Sequence, residues 1–121
     1  MKYGLSQKFY FDAAHQLKTE VDAESNAVIH GHTYYAEIYL HGELNEETGM
    51  VMDMGIIKTH TENLRKILDH KFLNNVPNLG IPTMENLTKF INAFFNSNGI
   101  KLAKVSVWRK GAGNRCTLYL E

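Results

Sequence analysis

His30-Gly31-His32 is the stretch of this chain with the most chemistry in it. If it is extended, residues two apart share one face of a strand, and two imidazoles on one face can close on a single cation. His15 supplies a third imidazole if the residues before it form a strand running antiparallel alongside, and the loop from Gln16 to Ile29 is long enough to allow that. Three neutral nitrogens with one position left open describe a catalytic zinc site rather than a closed structural one. An isolated His-x-His pair is more often two polar surface residues, so its context has to decide. Asp69-His70 is a second arrangement, a carboxylate placed to orient an imidazole as general base, although a helix C-terminus favours histidine by itself. Glu85 falls in the first turn of a predicted helix, where an acidic residue suits the dipole with or without a ligand. Trp108 and the tyrosines read as core or interface, and His41, His60 and Cys116 as packing or surface residues.

The elements that must hold these groups follow from periodicity. From Leu5 the odd positions Phe9, Phe11 and Ala13 alternate with Lys8, Tyr10 and Asp12, a half-buried strand ending near His15. From His30 to Leu40 the even positions share a face and β-forming residues dominate, which gives a second strand. Asp53 is placed to cap a helix in which Ile57, His60 or Thr61, Leu64 and Ile67 or Leu68 recur at helical spacing, stopping before Asn74. Pro82 and Thr83 open a second helix with Leu87, Phe90, Ile91, Phe94 and Phe95 on its apolar stripe. Val105 to Trp108 and Thr117 to Leu120 flank a glycine-rich turn and read as a hairpin. The order ββααββ predicts an α+β domain spanning residues 1–121, a four-stranded antiparallel sheet with two helices on one face.

Composition narrows the function. Thirteen Lys and Arg balance thirteen Asp and Glu among 121 residues, without a basic cluster, which argues against nucleic acid as a partner. No apolar run approaches the length of a membrane span or of a signal-peptide core, and the single cysteine suits a reducing compartment, so the expectation is a cytoplasmic protein. A domain this small buries a modest share of its surface, and assembly that covers sheet edges would stabilise it.

Five motifs stand in order: Phe11-Asp12-Ala13-Ala14-His15, His30-Gly31-His32-Thr33-Tyr34, Gly49-Met50-Val51-Met52-Asp53, Leu68-Asp69-His70-Lys71-Phe72-Leu73-Asn74 and Pro82-Thr83-Met84-Glu85-Asn86-Leu87. Together they resemble the 6-pyruvoyl-tetrahydropterin and 6-carboxy-tetrahydropterin synthase family, over essentially the whole chain. The resemblance implies the tunnelling fold, in which strands of neighbouring subunits close a barrel as a trimer or stacked hexamer. It implies a small-molecule pterin substrate, 7,8-dihydroneopterin triphosphate or a relative, with His15, His30 and His32 as zinc ligands. Asp69 and His70 would handle protons and Glu85 would help hold the pterin ring. The products implied are 6-pyruvoyl-tetrahydropterin, 6-carboxy-tetrahydropterin plus acetaldehyde on the route to deazapurines such as queuosine, or a hydroxymethyl-pterin after side-chain cleavage. The expectation nearest to hand is a zinc-dependent lyase of the 6-carboxy-tetrahydropterin synthase kind.

Two positions depart from the family pattern. Asn26 stands where the family has its cysteine, or in one branch glutamate, and an amide is no general base; Glu24 in the same loop is the candidate replacement. Arg109 stands where a glutamate grips the ring, and no acidic residue occurs from Leu87 to Leu120 to take its place. Arg109 would therefore bind a carboxylate or phosphate of a non-standard substrate, or pair with Glu85 to shut the pocket. These departures keep a second expectation open, a zinc-retaining pterin- or purine-binding module without turnover. His30-x-His32-x4-Glu37 also fits a cupin metal motif, but Glu37 falls on the other strand face and the helices do not suit an all-β barrel.

Overall fold

The computed structural model describes all 121 residues. The two long strands dominate it: β1 (Tyr3–His15) and β2 (His30–Gly42) pair antiparallel over their whole lengths, from Tyr3 opposite Gly42 to His15 opposite His30. The period-two pattern sets this register. A slip of one residue would carry Phe9, Phe11, Tyr34, Ala36 and Ile38 from the buried face into solvent. Strand β4 (Lys104–Arg109) pairs with β2, and β5 (Arg115–Tyr119) with β4, both antiparallel.

Two helices cover the apolar face. In α2 (Met54–Leu68) the Asp53 carboxylate caps the first turn by accepting from the Gly55 N–H at 2.8 Å. Ile57, Thr61, Leu64 and Leu68 are the buried positions, which resolves both alternatives that the periodicity left open. Thr61 tolerates burial because its hydroxyl donates to the Ile57 carbonyl at 2.8 Å. In α3 (Met84–Ser97) Thr83 is the cap, and Leu87, Thr88, Ile91 and Phe95 face inward, leaving Phe90 and Phe94 at the margin. Twenty buried apolar residues from the sheet, both helices and the segments that follow each helix form one cluster.

The sheet has five strands rather than four, in the order β3-β1-β2-β4-β5. The addition is β3 (Lys71–Phe72), which runs parallel to β1 beside Ala13 and Ala14; two residues are too short to show any periodicity. A third helix, α1 (Ala23–Ala27), interrupts the loop between the long strands and buries nothing, so no apolar stripe announces it. Both outer edges stay largely open, since β3 covers β1 only at Ala13 and Ala14 and nothing pairs with the far side of β5. No helix is long and apolar enough to cross a membrane.

Candidate metal centre

The buried face of β1 and β2 changes character at one end. Passing from Ile38 and Ala36 through Tyr34 to His32 and His30, and from Phe9 through Phe11 and Ala13 to His15, apolar packing gives way to imidazole. The pairing of His15 with His30 and of Ala13 with His32 brings the three rings together without any contribution from the loop. Their Nε2 atoms converge: His15 lies 3.0 Å from His30 and 3.1 Å from His32.

Backbone carbonyls fix how these rings are protonated. His15 Nδ1–H donates to the Pro82 carbonyl at 3.0 Å, and His30 Nδ1–H to the Val28 carbonyl at 2.7 Å. A carbonyl only accepts, so each Nδ1 carries the proton and each neutral Nε2 presents a lone pair. Two lone pairs 3.0 Å apart repel unless a cation lies between them. Nitrogens bound tetrahedrally at about 2.0–2.1 Å from zinc are about 3.3 Å from one another, close to the spacing seen. The donor set and its outer hydrogen bonds therefore fit zinc. Burial is the largest cause that lowers the His15 pKa. Burial followed by the Arg109 guanidinium lowers that of His32 to about 4, so both rings are neutral ligands at neutral pH.

Tyr34 and Pro82 are the residues of the site that the sequence did not single out. The Tyr34 hydroxyl oxygen lies 3.2 Å from His15 Nδ1, and its ring stacks on Phe11 with centroids 5.2 Å apart. Burial raises its pKa to about 12, which keeps it neutral. Its signal was present, two residues beyond His32 on the same strand face. Pro82 acts through its main chain, which no side-chain pattern reveals.

Asp69 and His70 form the expected pair, with His70 Nδ1 2.9 Å from Asp69 Oδ2. The Asp12 N–H donates to Asp69 Oδ1 at 2.8 Å, and this bond is the largest cause that lowers the Asp69 pKa, with His70 and Arg65 adding to it. His70 has φ 59°, a left-handed conformation that costs a non-glycine residue on the order of 1 kcal/mol. Its N–H donates to the Asp12 carbonyl at 2.6 Å, which holds the turn that aims the ring. That ring is 81% exposed, and it opens on a cleft of ≈ 580 Å³ lined by Asp12, Ala13, Ala14, Gly31, His32 and Thr33. Asp12, Ala14, Gly31 and Thr33 alternate to the face opposite His15, while Ala13 and His32 belong to the triad's own face. No hydrogen bond joins His70 to the triad, although His70 and His32 line one cleft.

The remaining candidates separate in the same way. Glu24 is exposed on α1 and is not part of the imidazole cluster. The Asn26 amide donates to Thr19 Oγ1 at 2.9 Å and organises the loop. Glu85 is exposed at the start of α3, where its charge, after burial, helps raise the Cys116 thiol pKa. Arg109 sits opposite Tyr34, beside the triad, and makes no ion pair, so it does not close the pocket with Glu85.

Residues 4–121 match the sequence model of a family described as 6-pyruvoyl tetrahydropterin synthase. The chain belongs to that family. Over 124 residues it is 34% identical to the dihydroneopterin monophosphate aldolase of Pyrococcus furiosus, covering 100% of this chain and 99% of that one. It is 34% identical over 99 residues to the 6-carboxy-5,6,7,8-tetrahydropterin synthase of Synechocystis, covering 78% and 75% of the two chains. The 6-pyruvoyl tetrahydropterin synthase of Caenorhabditis elegans superposes with a TM-score of 0.83 at 24% identity, over 100% of this chain and 97% of that one, a likeness of fold.

Proposed function

We propose that this chain is a zinc-dependent lyase of a reduced pterin of the 7,8-dihydroneopterin type, and that it breaks a carbon–carbon bond of the pterin side chain. The convergence of the His15, His30 and His32 Nε2 atoms, with the His15 and His30 lone pairs facing each other, carries the metal-dependent part of this reading. Zinc held by the three imidazoles supplies Lewis acidity that favours ionisation of the side-chain hydroxyls. With no thiol at position 26, the Asp69–His70 pair, joined by a 2.9 Å contact, is the proton-handling pair of this reading. One such pair suffices for a retro-aldol cleavage. His70 takes the proton of the second side-chain hydroxyl, the bond between the first and second side-chain carbons breaks, and its electron pair moves into the ring C=N. The same His70 returns a proton to the first carbon. The products are a hydroxymethyl-dihydropterin and a two-carbon aldehyde, with no oxidant or reductant consumed.

A second reading, formation of 6-carboxy-tetrahydropterin and acetaldehyde, is favoured by the similarity to the Synechocystis enzyme. It requires loss of phosphate and proton shifts at further carbons, more proton handling than one pair supplies. Relatedness to the Pyrococcus furiosus aldolase over the full length of both chains supports the cleavage reading. Because no hydrogen bond within one chain joins His70 to the triad, we further propose that a second copy of the chain brings its Asp69–His70 pair to each triad. The open edges of β1 and β5 are the surfaces on which such an oligomer, a trimer or hexamer, would assemble.

The test is product analysis with zinc-loaded protein and 7,8-dihydroneopterin, its monophosphate and its triphosphate. Hydroxymethyl-dihydropterin and a two-carbon aldehyde, absent with His30→Ala, are expected. Carboxy-tetrahydropterin with acetaldehyde would establish the second reading, and no conversion of any of the three would leave a binding module.

A further inference from the structure

Arg109 is a half-buried hydrogen-bond donor that nothing in the chain satisfies, and it stands beside the imidazoles. It pairs across the sheet with Tyr34, two residues along β2 from His32, so its side chain leaves the sheet on the triad's face. Val107 before it on that face and Tyr34 opposite are both at 0% exposure. Just beyond it the Lys110 N–H donates to the Thr33 carbonyl at 3.0 Å, so the backbone that carries Arg109 is held on both sides. Its Nε is closed off from solvent without a hydrogen-bond partner, and its guanidinium is in no ion pair. The imidazole cluster contains no carboxylate, and the chain has no acidic residue from Leu87 to Leu120. A buried donor left unpaired costs stability, so one kept in that state is explained by an acceptor that arrives with the substrate.

The cleavage proposed above supplies that acceptor. When the bond between the first and second side-chain carbons breaks, the electron pair moves into the ring C=N and negative charge gathers on N5. N5 is joined to the first hydroxyl oxygen through only two carbons, so a side chain held at the triad brings N5 to the groups that flank the triad. N5 also lies beside the C4 carbonyl, and two acceptors on one edge match a guanidinium fork as O6 and N7 of guanine do. Arginine stays protonated throughout, so it stabilises the charge by hydrogen bonding and gives up no proton. His70 still returns the proton to the first carbon, after which the electron pair leaves N5 and the C=N is restored. A cation without a counter-charge acts most strongly on charge that appears only during the reaction.

We infer that Arg109 is a catalytic residue of this chain, donating from its guanidinium to N5 and the C4 carbonyl of the pterin and stabilising the charge that forms on N5 during cleavage. The ring is thereby fixed with its N5 edge toward β4 and its side chain toward the triad. The inference rests on the pterin lyase reading and adds to it the group that stabilises the displaced electron pair.

Zinc-loaded wild type, Arg109→Met and Arg109→Lys are titrated calorimetrically with 6-hydroxymethylpterin and with its 5-deaza analogue, in which a C–H replaces N5. Neither compound has a bond between first and second side-chain carbons to break, so binding is read apart from cleavage. The wild type is expected to bind the pterin at least about tenfold more tightly than the deaza compound, and Arg109→Met to discriminate by less than about twofold, with Arg109→Lys between. With 7,8-dihydroneopterin as substrate, Arg109→Met should lower kcat by about 10²-fold or more and change KM far less, because the charge on N5 develops only in the transition state. Equal affinity of the wild type for the two compounds would overturn the inference while leaving the pterin reading intact. A preference for N5 that Arg109→Met kept in full would do the same. A raised KM with kcat unchanged would make Arg109 an anchor of the bound ring only and overturn its catalytic role. If neither compound bound the wild type, the pterin reading itself would fall. Arg109→Lys, which keeps the charge and most of the stem packing, decides the matter where Arg109→Met folds poorly.

Discussion

One face of the β1–β2 ribbon ends in two different ways. At the Ile38 end it is fully packed, with Phe11, Tyr34, Ala36 and Ile38 at 0% exposure against α2 and α3. At the His30 end the same alternation presents three imidazoles whose Nε2 atoms converge. The backbone pairing is continuous through both regions, so the difference lies in the side chains alone. The packed end supplies the stability that lets the other end hold three converging imidazoles in place. Substitutions at the two ends should accordingly separate function from stability.

The largest effect is expected from His30→Ala. Partners outside the first ring of a metal are worth roughly 10–100-fold each, so loss of a ligand should leave less than about one hundredth of the activity. Denaturation of the metal-free protein should move little, because His30 is only partly buried and its Nδ1 bond is local to Val28. The converse variant is Phe11→Ala, which removes a fully buried ring stacked on Tyr34. It should cost about 3–5 kcal/mol in chemical denaturation. A variant at either end that affected both properties equally would break the comparison.

Acid sharpens it further. The folded pKa of His32 is lowered to about 4, whereas the unfolded side chain titrates near 6.5. Between those values the unfolded chain binds more protons, so stability is full above about pH 6.5 and is lost as pH falls toward about 4. Denaturation of metal-free protein across that window should show a loss on the order of 2 kcal/mol, reduced in His32→Gln. Asp69→Asn should have the smallest effect, about 1 kcal/mol at pH 7 from weakened bonds to the Asp12 N–H and His70. Asp69 has a lowered folded pKa, so its contribution is intact above the unfolded value of about 3.9 and fades below it. The difference between wild type and Asp69→Asn should therefore narrow when the melts are repeated near pH 2.5.

The contrast between the two ends was legible in the sequence because both obey one rule, alternation along paired strands. Phe9, Phe11, Ala13 and His15, and the even residues from His30 to Leu40, need only the antiparallel register to become a core and a site. What stayed hidden was written in the main chain or in segments too short to have a period. Pro82 and Val28 fix two imidazoles through their carbonyls, β3 is two residues long, and α1 has no buried face. The placement of His70 was hidden for a third reason. Its left-handed backbone and its hydrogen bond to Asp12 set where the ring points, and nothing in Asp69-His70 as a sequence carries that information.

The account stands most directly on the imidazole end being a metal centre. Zinc content after dialysis against a weak chelator, measured side by side for wild type, His30→Ala and Phe11→Ala, tests it. One zinc per chain is expected in the wild type and in whatever fraction of Phe11→Ala remains folded, and none in His30→Ala. Zinc retained by His30→Ala, or absent from the wild type, would contradict it.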